Sequence, residues 1–332
     1  MSLSATPDKD VFSTIEAPLR KAWAARVHTP PRELSRLARL RHIVSVGGSY
    51  PRVILDGSER EALVAAAFFA RRRRPPAVVI ADATWSADGN ILDRLASRFG
   101  LMGLDGSHVR YCVFSSAERE RFPLTWRVDP QRVVFTPYHH TLSDEELASP
   151  ASDDGAVFAG GDSLRDYRTL IEAAREIRAP VLIATRRASE QRRSDLPPNV
   201  VVAAVSRRDY NERTASASVV VVPLAPRDDR GSGQTTYLNA MALGKALIVT
   251  DVAGARDYIT DGETGLIVPP EDSPALAAAL RRLLEDREYA RRIGEAARRD
   301  ALERFGPARY VEQLLAVADE ASAASQSSLA GG

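Results

Sequence analysis

The chain alternates short apolar runs with longer stretches in which apolar side chains recur at helical spacing. In the first half, residues 42–46, 77–81, 109–114 and 133–135 are bounded by Gly, Pro or Ser and read as strands. Residues 11–41, 58–70, 90–99 and the stretch after Ser115 read as helices. In the second half, residues 156–161, 181–184, 199–203, 219–223 and 247–249 read as strands. Helices are predicted over 167–177, 210–217, 274–304 and 307–320. Strands alternating with helices along the whole length predict an α/β protein with parallel, doubly wound sheets. Residues 141–154 read as a polar linker, and residues 322–332, small and polar, as a disordered tail.

One stretch organises the rest. Gly231, Ser232 and Gly233 open onto a helix whose Leu238, Met241 and Ala242 form an apolar stripe, and Gly244 stops it. Ser232, Thr235 and Thr236 offer hydroxyls for its cap. A helix start with exposed amides attracts an anion, and glycines let the anion approach the backbone. The same pattern also fits an ordinary loop, helix and strand that bind nothing.

Composition narrows the class. A chain of 332 residues is long enough for two domains, and 44% hydrophobic with 27% charged residues describes an ordinary globular protein. A net charge of +1 gives no overall argument for nucleic acid. The single cysteine, Cys112, lies in an apolar strand and reads as a core residue in a reducing compartment. No apolar run suits a signal peptide or a membrane span, so the expected location is cytoplasmic. The five histidines are scattered or lack partners at ligand spacing, so no metal site is expected. Asp8-Lys9-Asp10 reads as solvated surface. Between residues 11 and 41 lie seven basic residues against two acidic ones, and Arg71 to Arg74 adds a further run. This reads as a solvated face, with peripheral docking on an anionic membrane as the alternative.

Residues 231–270 resemble the donor-binding segment of retaining glycosyltransferases of family 4, the group 1 glycosyl transferases. Asn239-Ala240-Met241-Ala242-Leu243-Gly244 and the turn Asp261-Gly262-Glu263-Thr264-Gly265-Leu266-Ile267-Val268-Pro269 carry the resemblance. It implies a GT-B fold, with two Rossmann-like domains facing a cleft. The expected division is a reduced acceptor-side domain at 1–150, a nucleotide-sugar domain at 151–305, and a helix at 306–321 packing back on the first domain. The family's opening strand with its Gly-rich loop at the extreme N-terminus is read as absent, and residues 42–48 as a later strand, so a reduced sheet is expected.

The resemblance also implies site roles. A nucleotide-sugar diphosphate would meet the amides of Ser232, Gly233, Gln234 and Thr235, with Arg165 as the cation after the Gly160-Gly161 turn. Arg165 also fits a surface residue at a helix start. Asn239 stands where the family has a ribose-binding Glu, and Gly231 where it has a second carboxylate. Asp228 or Asp229 is a stand-in for that carboxylate, or simply a loop residue. Val205 and Arg207 match the loop on which the base lies. For the acceptor, the predicted strand ends offer Gly48, Ser49, Asp82 and Trp85, with Asp82 orienting a hydroxyl and Trp85 stacking on a sugar. His139 leads out of the first domain, as a contact to substrate or as linker. Arg165, Asp82 and His139 are thus the catalytic candidates. The nucleotide-sugar is a co-substrate, and no cofactor or metal is implied. The expected activity is retaining transfer of a hexose from a nucleotide sugar, UDP in first place, to an unidentified acceptor. A non-catalytic nucleotide-sugar-binding partner of another transferase is the rival. An epimerase finds no convincing acid–base set.

Overall fold

The computed structural model describes residues 9–15, 26–31, 34–58, 60–83, 85, 106–148, 152–226 and 230–330. They fall into two compact units, Met1–Pro137 with Pro307–Gly332, and Tyr138–Gly306. Each unit holds one six-stranded sheet in which every neighbouring pair is parallel.

The first sheet contains β1 (Val11–Ser13), β2 (Val27–His28), β3 (Arg52–Asp56), β4 (Ala77–Ala81), β5 (Val109–Val113) and β6 (Val133–Phe135), in the order β2-β1-β3-β4-β5-β6. Helices α1 (Arg36–Ser45), α2 (Arg60–Ala70) and α3 (Ser116–Trp126) bury Ile43, Phe69 and Phe122 with Val53, Leu55, Val78 and Tyr111 in one core. Ser115 caps α3 by accepting from Glu118 N. Alternate strand residues such as Ile54 and Val79 point the other way. The C-terminal helix, Pro307–Ala330, packs along β3, β4 and β5 with Val311, Leu314 and Ala318 buried.

Several expectations for this unit are corrected. Residues 11–41 are not one helix, because Val11–Ser13 and Val27–His28 are strands. The opening strand is therefore present, and the sheet has as many strands as its counterpart. Strands of three and two residues are too short for alternation to stand out. Asp10 is not free surface: its carboxylate holds Arg26 at 2.8 Å and Arg52 at 2.9 Å. Residues 42–45 belong to α1 and Val46 is its C-cap, so the run is not a strand; Ser35 caps the start of the helix, and Ile43 is its buried residue. A β-branched run is a weak signal that packing overrides. Gly48 and Ser49 lie in a 3-10 turn that leads into β3. They occupy the amino edge of the sheet, opposite the edge where parallel sheets form sites. Residues 322–330 continue the last helix instead of forming a loose tail. The helix expected over 90–99 lies outside the described residues.

The second sheet contains β7 (Val157–Gly160), β8 (Val181–Ala184), β9 (Val200–Ala203), β10 (Val219–Val222), β11 (Ala246–Thr250) and β12 (Leu266–Val268), in the order β12-β11-β10-β7-β8-β9. Its helices are α4 (Asp144–Ala148), α5 (Tyr167–Ala174), α6 (Ala188–Gln191), α7 (Arg207–Ser216), α8 (Gln234–Ala242), α9 (Ala255–Tyr258), α10 (Ser273–Glu285) and α11 (Arg287–Arg304). The polar linker thus contains a short helix, α4. The stretch 274–304 is two helices, because Asp286 caps the second by accepting from Tyr289 N at 2.9 Å. Both faces of the sheet are covered: Val219, Val221 and Ile248 belong to one core, Val220, Val222 and Val249 to another. Such strands read as continuous apolar runs, which is how they were legible.

Candidate functional site

In the second sheet the chain starts at β7, winds outward to β9, then returns to β10 on the other side of β7. A crevice opens at the carboxyl ends of strands where the winding reverses, here between β7 and β10. Gly160 ends β7. Gly161 follows with φ +118°, a conformation that suits glycine. The chain then runs back past the end of β10, where Asp166 N donates to Pro223 O and Ala225 N to Leu164 O, both at 3.0 Å. This places Arg165 in the reversal.

Arg165 is 7% exposed. Its Nε donates to Gly160 O at 2.9 Å, Nη1 to Ser163 O at 2.8 Å, and Nη2 to Thr236 Oγ1 at 3.0 Å on the first turn of α8. Among the described residues it forms no ion pair with a carboxylate. Burial pulls its guanidinium below the ordinary value, opposed by Tyr167, Tyr210 and Asp162. A desolvated cation satisfied only by neutral acceptors is costly, and an anion reaching it would offset that cost. Gly160 and Gly161 are both sterically tied to this arrangement. A Cβ on Gly160 would enter the Tyr210 ring, and one on Gly161 would lie 2.6 Å from Arg165 Nη2.

The surroundings are polar and basic. Tyr210 Oη lies 3.4 Å from Thr236 Oγ1, and its ring packs edge-on against Phe158. Tyr167 Oη donates to Gly161 O, and burial raises its pKa. Asp162 holds Thr185 Oγ1 and the Arg186 side chain, each at 2.8 Å. Arg187 Nη1 donates to Arg165 O at 3.0 Å, and Arg230 Nη2 to Ser163 Oγ at 3.3 Å. Tyr210, Arg187 and Arg230 were not singled out in the sequence. Their separation along the chain hides a proximity that the sheet order creates.

At the start of α8, Gly233 has φ +87° and no side chain caps the helix. The expected hydroxyl cap is therefore absent: Thr236 receives Arg165, and Thr235 is exposed. The Gln234 carboxamide fills the space that a side chain at Gly231 would take. Asn239 is 8% exposed, and its amide is engaged by Thr141: Oδ1 accepts from Thr141 N at 2.8 Å, and Nδ2 donates to Thr141 Oγ1 at 3.0 Å. The structure thus groups Gly160, Gly161, Arg165, Gly233 and Gln234 around Thr236. It does not hydrogen-bond Asn239, Val205 or Arg207 to that group. Val205 packs partly buried on the second core, and Arg207 lines a separate groove of about 690 Å³ with Glu146 and Asn211. Asp228 and Asp229 lie outside the described residues.

His139 is buried, and its Nδ1 lies 2.7 Å from His140 O. Burial pushes its pKa down to about 4, so it is neutral at pH 7. In the first unit, Asp82 follows β4 with φ +55°, an uncommon conformation for a non-glycine residue. Trp85 does not stand free to stack on a sugar. Its Nε1 donates to Gly57 O at 2.7 Å, and its ring packs with Phe122 and Trp126. The winding of this sheet reverses between β1 and β3. There Thr14 Oγ1 accepts from Asp56 N at 2.8 Å. Thr14 and Asp56 were missed because neither β1 nor β3 was recognised as a strand.

Residues 156–286 match the family described as Glycosyl transferases group 1. The chain is 42% identical over 60 residues to the alpha-D-kanosaminyltransferase of Streptomyces kanamyceticus, covering 18% of this chain and 16% of that protein. It is 37% identical over 92 residues to the alpha-maltose-1-phosphate synthase of Mycolicibacterium smegmatis, covering 26% of this chain and 24% of that protein. The matched segments are therefore under a quarter of the length of each relative. The structure of Anabaena HepE, solved in complex with UDP and glucose, superposes with a TM-score of 0.65 at 15% identity, covering 92% of this chain and 90% of that one. The two parallel six-stranded sheets are those of a GT-B fold, and the match to the glycosyl transferases group 1 family lies within its second sheet unit, over residues 156–286.

Proposed function

We propose that the chain is a glycosyltransferase that moves a hexose from a nucleotide diphosphate sugar to an acceptor hydroxyl with retention at the anomeric carbon. The observation that carries this reading is the buried Arg165 guanidinium, without a carboxylate partner among the described residues, at the winding reversal beside the uncapped start of α8. The diphosphate is the anion that would complete it, held by the guanidinium and the first amides of α8. Uridine is the proposed nucleoside because the neighbour HepE was solved with UDP.

In the proposed step the bond between the anomeric carbon and the β-phosphate oxygen breaks, and its electron pair stays on the phosphate. The acceptor oxygen bonds to the anomeric carbon from the same face, and its proton passes to the departing phosphate. Arg165 and the helix amides stabilise the growing negative charge. Since the chain supplies that positive potential, transfer is expected to persist in EDTA. Asp82 is kept as the acceptor-side candidate. His139, neutral at pH 7, is assigned no proton transfer.

The test is a thermal-shift series on the full chain with UDP, GDP and ADP and their glucose adducts. UDP at a hundredfold excess over its dissociation constant should stabilise the fold by about 2.7 kcal/mol. Arg165→Lys keeps a charge but loses the planar fork, and should fold while losing that response. No stabilisation by any nucleotide, or a full response in Arg165→Lys, overturns the reading. The rival reading as a non-catalytic partner is not favoured, and donor hydrolysis by the purified chain would discard it.

A further inference from the structure

A second surface, unrelated to Arg165, lies on α1 and α2. The two helices run side by side in the same direction. Arg36 pairs with Glu61 at their starts at 3.4 Å, and Arg72 donates to the Val44 carbonyl at 3.0 Å and to that of Gly48 beyond their ends. Both turn one side into the first core, through Ile43 on α1 and Ala65, Ala66 and Phe69 on α2. Their outward faces therefore adjoin.

Those faces are apolar where water should meet them. Leu37 is 62% exposed, Val64 44% and Phe68 53%. Of the six large hydrophobic side chains exposed among the described residues, these three sit on the two helices, Val64 and Phe68 one turn apart. A shallow groove of about 390 Å³ runs along α1, lined by Leu34, Leu37, Ala38 and Arg41. Single exposed leucines need no account, but three large apolar side chains exposed on two adjoining helices do.

Charge identifies what covers it. Residues 32–49 and 59–76 contain nine arginines, Arg32, Arg36, Arg39, Arg41, Arg60 and Arg71 to Arg74, against three acids, Glu33, Glu59 and Glu61, in a chain whose net charge is +1. A nucleic acid would match the arginines but leave Leu37 and Phe68 facing water or phosphate. An anionic bilayer meets both demands, because its headgroups neutralise guanidinium groups while its acyl boundary takes apolar side chains. Arginine stems can lie along the apolar layer with their heads at the phosphates.

We propose that the α1–α2 face docks this protein on an anionic membrane surface, with Leu37, Val64 and Phe68 entering the interface and the surrounding arginines on the lipid phosphates. The contact is peripheral: among the described residues, no helix is long and apolar enough to cross a membrane. Docking does not rest on the donor reading, because it is measured without turnover.

The experiment is co-sedimentation of the full chain with phosphatidylcholine vesicles, with and without phosphatidylglycerol, at low and high salt. Binding is expected on the anionic vesicles, weakened by salt, and absent on phosphatidylcholine alone. Leu37→Ser with Phe68→Ser should lower binding about tenfold or more. Arg73→Ala with Arg74→Ala should lower it about fivefold per charge removed. Leu124→Ser, at a residue 81% exposed on α3, is the control and should bind as the parent does. Melting curves establish that each variant is folded. The proposal is overturned by no binding to anionic vesicles, by unchanged binding in the two double variants, or by an equal loss in Leu124→Ser. It is also overturned if duplex DNA binds more tightly than the vesicles and the apolar variants leave that binding unaffected.

Discussion

The two sheets share a six-strand parallel plan but treat their winding reversals differently. In the second sheet the reversal between β7 and β10 encloses a guanidinium held by two backbone carbonyls and a hydroxyl. In the first, the reversal between β1 and β3 carries a hydroxyl and a carboxylate: Thr14 accepts from Asp56 N, and the Asp56 carboxylate accepts from Ser58 N at 2.9 Å. One edge thus presents a cation, the other a hydroxyl and a carboxylate. The difference teaches that the architecture sets where a site forms, while a few side chains at the strand ends set its sign.

The largest effect expected from breaking this comparison is at Gly161. Gly161→Val would place a β-branched side chain at φ +118° and drive its Cβ into Arg165. Transfer should fall at least about a hundredfold, with a stability loss of about 3 kcal/mol in urea melts. A variant that melts like the parent and retains its turnover would separate Arg165 from the site.

The matching test in the first unit is Gly57→Ala. An added Cβ would lie 2.7 Å from Ala81 O and 2.8 Å from Asp82 O, both backbone atoms that cannot swing aside. A loss of about 2 kcal/mol is expected. UDP affinity of the remaining folded protein should be unchanged, since the proposed donor site belongs to the other unit. A parallel loss of UDP binding would undo the assignment of donor chemistry to one sheet.

Next in size is a pH effect in the second unit. His139 has a folded pKa of about 4, below its unfolded value, because burial disfavours the imidazolium. Its neutral form is therefore accommodated without penalty above about pH 6.5. Stability then falls as the pH drops towards 4, by about 2 kcal/mol between pH 7 and pH 5. His139→Gln should flatten that part of the stability profile measured by denaturant titration. An unchanged profile would mean that the imidazole titrates alike in the folded and unfolded chain, against the effect of burial.

The smallest effect expected is at Asn239. Asn239→Ala removes both hydrogen bonds to Thr141 and should cost about 1 kcal/mol. A structural clasp predicts that loss with UDP affinity unchanged. A ribose ligand predicts weaker UDP binding instead, so calorimetry with UDP alongside a melt distinguishes the two.

Much of the second sheet was legible. Val219–Val222 and Ala246–Thr250 are fully buried runs, and fully buried strands carry their signal in every residue. The first sheet was harder. Val11–Ser13 and Val27–His28 are too brief to show a period, and the run at 42–46 has strand-like residues inside a helix. Missing β1 and β3 removed Thr14 and Asp56 from view, and reading 42–46 as a strand put Gly48 and Ser49 at the wrong edge. In the candidate site, Arg165 and its glycines were visible because they sit within six residues of one another. Tyr210, and the pairing of Thr236 with Arg165, were obscured, because those residues lie 45 and 71 positions further on.

Sequence alone determined the local facts: where apolar runs end, where glycine permits a positive φ, and which helix starts after Gly233. These depend on steric and hydrophobic preferences of neighbouring residues. Only the tertiary structure decided that Arg165 is buried without an ion-pair partner among the described residues, that Asn239 holds Thr141, and that Trp85 is packed in a core. Those outcomes depend on strand order and on groups far apart in the chain, whose desolvation and pairing have no counterpart in a local window of sequence.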